Sequence, residues 1–210
     1  MKIGRLLLRL SVGGFFFGHG TQKLLGWFGG HGLKNTAEAF EGLGMRPGRV
    51  HATAAGLAEA GGGAGLALGY RTPLAASAVI ATMLTAIKRV HLRNGPWITD
   101  GGYEYNVLLI VAAVTLAELG PGPVSLDALR GRERAGVLWA LVALTLGAAG
   151  ATGAHLLAES QKGAAAPAAA ATAASAPEPP APAPAPAPAP QAAPAEPVEA
   201  GSEEEPAPTE

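Results

Sequence analysis

Residues 50–68, VHATAAGLAEAGGGAGLAL, decide how the chain is read. At 1.5 Å per residue such a stretch reaches about 28 Å as a helix, close to the thickness of a bilayer's hydrocarbon core. Twelve of its 19 residues are Gly or Ala, which lets neighbouring helices approach to backbone contact. A single carboxylate, Glu59, stands at its centre. An ionised carboxylate at mid-depth in a bilayer is costly, so Glu59 is expected to be paired, protonated or functional. Arg9, on the inner half of the first span, is one available partner.

Four more apolar stretches lie around it, at residues 6–25, 73–90, 103–119 and 135–157. Lys2, Arg5 and Arg9 open the first, as in a signal peptide, yet no small-x-small cleavage site clearly follows and a retained anchor is expected. Within it Gly14 and Gly18 form a small-xxx-small pair. Trp27 and Phe28 follow where aromatic anchors at the headgroup level belong. In the connection 26–49, Asn35 followed by Glu38 resembles a helix cap, with Leu33, Ala37 and Phe40 on one face. A short interfacial helix and an irregular loop fit that segment equally well. The fifth stretch is apolar on every face apart from Thr145, Thr152 and His155, so lipid contact over much of its surface is expected.

Composition divides the chain in two. Residues 1–158 hold 14 Lys and Arg against 8 Asp and Glu, whereas residues 159–210 hold 1 against 8 and 13 of the 18 prolines. The net charge of −1 therefore averages a basic body with an acidic end and says nothing about partners. The expected fold is all-α: a four-helix transmembrane bundle over 1–129, a fifth transmembrane helix with its basic linker over 130–158, and a disordered Ala/Pro-rich tail over 159–210. With no cysteine, the chain alone cannot supply disulfides, thiolate catalysis or iron–sulfur ligation. Phosphate loops, dinucleotide fingerprints and nucleophile elbows are missing as well, and nothing indicates nucleic acid.

Basic residues number seven at each membrane face, so charge does not set orientation alone. The basic start of the first span favours a cytoplasmic N-terminus and a C-terminal tail outside the plasma membrane.

Helix alternation brings a set of polar residues to one face. His19 and Lys23 end the first span, Lys88 and His91 end the third, and Glu104, Tyr105 and Asn106 open the fourth. Glu59 lies deeper on the same side, and these eight residues form the candidate site. Blander readings stand beside it: Lys23 and Lys88 as snorkelling cations, His19 as a packed histidine, Glu104 as partner of Lys88 or Arg89 or as a charge at a helix start. His19 and His91 are the best pair for haem, but neither haem nor a metal is expected.

Four motifs, RLSVGGFFFGHGTQKLLGWFGGHG, GLAEAGGGAGLALGYRTPLAA, GGYEYNVLLI and GPGPVSLDAL, together resemble the DoxX family of bacterial membrane proteins over about residues 3–129. The resemblance implies a four-helix membrane protein tied to quinone- or thiol-linked redox chemistry, related to the small subunit of thiosulfate:quinone oxidoreductase. It implies menaquinone or another quinone as cofactor, and superoxide dismutase and a sulfurtransferase as soluble partners. His19, Lys23, Glu59, Glu104 and Asn106 fall at the family's polar positions. The expected function is a membrane component of a redox complex. A non-catalytic scaffold is the alternative, and a small-solute transporter a weaker third.

Overall fold

The computed structural model describes residues 3–174, with side chains to residue 161. Every regular element among the described residues is helical. The chain forms α1 (Ile3–Leu25), α2 (Gly32–Gly42), α3 (Gly48–Leu68), α4 (Thr72–Ala86), α5 (Glu104–Leu119), the short α6 (Leu126–Leu129) and α7 (Val137–Ala174). Two segments are long and apolar enough to cross a membrane: Thr72–Asn94, of mean hydropathy 1.3, and Val137–Gln161, of mean hydropathy 1.7. Only 28% and 22% of these windows is buried within the protein, which leaves most of their apolar surface for lipid. α5, with 16 residues, reaches about 24 Å.

The expected elements are present with shifted edges. The connection 26–49 forms the helix α2, but its N-cap is His31, which makes no side-chain cap, and Asn35 lies inside its first turns. α7 continues to Ala174, so the first part of the segment expected to be tail is helical. Its Ala run carries the strongest intrinsic helix propensity, which explains the extension. The rest of the expected tail, 175–210, lies outside the described residues.

α3 packs on α1, α2 and α4, and α4 packs in turn on α5 and α7. The α1–α3 contact is a seam without side chains. A Cβ on Gly13 would stand 2.5 Å from the backbone nitrogen of Ala67, and one on Gly20 would strike the backbone of Ala60 and Gly56. From the other side, a Cβ on Gly63 would strike the backbone of Phe17. Gly14 and Gly18, the pair singled out in the sequence, have open space beside them. The small-residue principle holds, but on a different face of α1. A buried apolar group formed by Phe16, Leu66, Val79, Ile80 and Leu116 fills the space between α1, α3, α4 and α5. α7 joins through a stripe of Ala140, Ala143, Gly147, Ala151 and Ala158, each buried. Gly147 lies directly over Ile80 of α4.

One end of the helix assembly is tied by polar groups. α3 stops at Gly69 (φ 62°), where Tyr70 N–H reaches back to the Gly65 carbonyl at 2.8 Å. Arg71 then adopts φ 46°, unusual for a non-glycine residue. The Asp127 carboxylate, from α6, accepts the N–H groups of Arg71 at 2.9 Å and Thr72 at 3.2 Å. Asp127 thus caps the N-terminus of α4 from a remote segment, where the helix start favours negative charge. Arg5 donates to the Leu119 carbonyl at 2.8 Å, and Arg9 donates to the carbonyls of Pro121 and, at 2.5 Å, Val124. These arginines satisfy carbonyls that the end of α5 and its following turn leave without helical partners.

Candidate functional site

At the opposite end the helices enclose a cavity of about 690 Å³, a volume within the usual range for small-molecule sites. Its walls come from α1, α3, α4 and its continuation, α5 and α7, and from Phe40, Leu43 and Met45 around the end of α2. Most of the lining is apolar, with Phe15, Phe16, Met83 and Leu109 among the larger contributors. A few polar groups converge on it.

Lys23 Nζ stands 2.5 Å from Glu59 Oε2, joining the end of α1 to the middle of α3. The Glu59 side chain is 7% exposed and that of Lys23 28% exposed, so the carboxylate is the deeper partner. Glu59 lies eleven residues into α3, about 16 Å along its axis. Glu59 is paired, as expected, but with Lys23 and not with Arg9, the partner named from the sequence, which is committed to carbonyls at the other end of α1. Lys23 is the residue in reach because α1 and α3 run antiparallel along the glycine seam.

Of the eight residues singled out from the sequence, His19, Lys23, Glu59, His91, Tyr105 and Asn106 line the cavity. His19 Nδ1 bonds Gln22 Oε1 at 3.1 Å, and His91 Nδ1 bonds the Gly101 carbonyl at 2.7 Å. Asn106 is 7% exposed, and its hydrogen bond goes to the Met83 thioether at 3.4 Å, a weak acceptor for an amide donor. Lys88 and Glu104 do not line the cavity. Lys88 is exposed on the helical turn beyond α4. Glu104 pairs with neither Lys88 nor Arg89; its Oε1 accepts the Ile98 N–H at 2.7 Å and closes the loop before α5. A carboxylate in the first turn of α5 also suits that helix's electropositive end.

The sequence set missed Arg89 and His155. Arg89 lines the cavity and donates from Nε to His155 Nδ1 at 3.0 Å. Its Nη2 reaches the Glu159 carboxylate at 3.4 Å. His155 is buried on the Ala/Gly stripe of α7. That position was the available signal: a lone histidine, on a helix otherwise built of Ala, Leu and Gly, that falls on its small-residue face. No group of three or more His, Asp and Glu able to hold a metal occurs among the described residues.

No curated protein and no solved structure matches the chain. Among protein families, the match is to DoxX over residues 4–92, which takes in α1 to α4, the glycine seam and the Lys23–Glu59 pair. With a bundle of apolar helices whose outer surfaces remain uncovered, and with that match across its first four helices, the chain carries a DoxX domain at residues 4–92 and has the character of a membrane protein.

Proposed function

We propose that the protein is a multi-pass plasma-membrane component of a redox complex that binds a quinone, menaquinone in the first instance, in the cavity near one membrane face. The observation that carries this reading is the cavity itself: a largely apolar chamber with a few polar groups in its wall. A quinone head needs hydrogen-bond donors at its carbonyls, and its tail needs an apolar slot. Asn106 supports the fit, because its buried amide has donor and acceptor capacity that a single bond to a thioether leaves largely unused. A bound quinone supplies two-electron redox chemistry to the complex. Asn106, His19 and His91 orient its head, and the Lys23–Glu59 pair stands in the cavity wall as a group able to hold a proton. Four spans form the body around α3, with α7 as a fifth, the N-terminus cytoplasmic and the C-terminus outside.

Because the chain has no cysteine, thiol chemistry belongs to other subunits, for which the family resemblance suggests superoxide dismutase and a sulfurtransferase. The test is purification in mild detergent, followed by lipid extraction and chromatography. Menaquinone is expected to co-purify near one per chain and to fall in His19→Ala and Asn106→Leu. Protein that carries no quinone and binds none on addition would leave the scaffold reading, in which the body only holds soluble enzymes at the membrane.

A further inference from the structure

Arg89 is an unusual wall for an apolar chamber. Its side chain is 12% exposed, so its charge is largely removed from water. Buried cations require a counter-charge or a full set of acceptors. Around Arg89 the structure provides a ring nitrogen at Nε and, at 3.4 Å, a carboxylate whose own side chain is 56% exposed. The carboxylate in the cavity wall, Glu59, is engaged with Lys23. The cavity therefore offers two cationic groups, of which one is matched within it.

We propose that Arg89 anchors an anionic oxygen head, carboxylate or phosphate, on a lipid-tailed ligand occupying the cavity, and that His155 is the positioning residue that aims the guanidinium. Arg89 Nε–H donates to His155 Nδ1, so the imidazole presents a lone pair at that nitrogen. This bond fixes the plane of the guanidinium, and a planar fork is suited to oxyanions only when its plane is set. α7 also supplies Gly150 and Ala154 to the cavity wall, so the helix that orients the cation also shapes the chamber. The inference rests on the reading of the cavity as a site for a lipophilic molecule, and not on that molecule being a quinone.

The test uses the full chain in detergent with cis-parinaric acid, whose fluorescence reports binding, and with its methyl ester, which keeps the tail and removes the charge. Wild type is expected to prefer the acid about tenfold, a difference of about 1.4 kcal/mol. Arg89→Gln is expected to abolish that preference while leaving ester binding unchanged, which also shows that the chamber is still formed. His155→Leu should reduce the preference, and His155→Gln, which retains an acceptor for Nε–H, should restore it. Displacement of bound parinarate by oleate or by lysophosphatidate assigns the head as carboxylate or phosphate. Equal affinity for acid and ester in wild type, or a preference that survives Arg89→Gln, would overturn the proposal. Absence of quinone with the acid preference intact would remove the quinone reading alone.

Discussion

The two ends of the helix assembly use polar residues in opposite ways. At the end formed by the start of α1 and the turn 69–72, the charged groups reach mainly to backbone: Asp127 to the first amides of α4, Arg5 and Arg9 to carbonyls following α5, with Arg9 Nε alone left without a partner. At the other end, several polar groups face a chamber and bond to each other or to weak partners, as Lys23 does with Glu59 and Asn106 with a thioether, while His91 is held by a backbone carbonyl. A buried charge whose partner is a fixed carbonyl or amide serves the fold. A buried amide that meets only sulfur has capacity left for something that arrives later. The same residue types thus separate into architecture and site by what they touch.

That contrast can be broken at four points of decreasing weight. Gly20→Val and Gly63→Val put side chains into backbone across the seam, where no flexible group can yield. Each is expected to cost about 3 kcal/mol and to abolish the monodisperse peak in size-exclusion chromatography, whereas Gly14→Ala and Gly18→Ala leave it unchanged. Asp127→Ala leaves buried amides of α4 without an acceptor and is expected to cost about 2 kcal/mol, seen as a lowered midpoint in detergent unfolding. Asp127→Asn keeps one acceptor and should lose less.

Removing Lys23 leaves a buried carboxylate alone. Lys23→Met is expected to destabilise by about 2 kcal/mol, less than a fully enclosed pair because Lys23 is partly exposed. Adding Glu59→Gln should recover more than half of the loss in the same unfolding assay. If the double variant were as unstable as the single, the pair would belong with the architectural end. The smallest effect is expected for Glu104→Gln, where a neutral carbonyl still accepts from Ile98: under about 0.5 kcal/mol globally, with faster hydrogen exchange confined to the loop before α5.

The helices and the need of Glu59 for a partner were legible because both follow from local sequence: long apolar runs, and a charge in the middle of one. Partners were harder to read. Lys23 and Arg9 lie fourteen residues apart on α1, about 21 Å along the axis, and only the antiparallel register with α3 decides which meets Glu59. The seam was missed for a similar reason. Gly14 and Gly18 match a familiar spacing, but Gly13 and Gly20 are seven apart, as are Gly56 and Gly63 on α3. That shared period of seven on two stretches was a signal available before any coordinates. The role of Asp127 was hidden because it caps a helix that begins 55 residues earlier. Arg89 and His155 meet across 66 residues, and each alone reads as ordinary.

Because α1 and α3 touch through backbone, that pair has little freedom to slide or bend apart, and it acts mechanically as one beam. Lys23, Glu59 and the aromatic wall of α1 ride on that beam and keep a fixed geometry. Compliance in the chamber must then come from its other side, above all from α5, which meets its neighbours through side chains such as Leu116. Spin labels across α1 and α3 should report one narrow distance with or without a guest molecule, while labels from α1 to α5 should carry whatever breathing the chamber has.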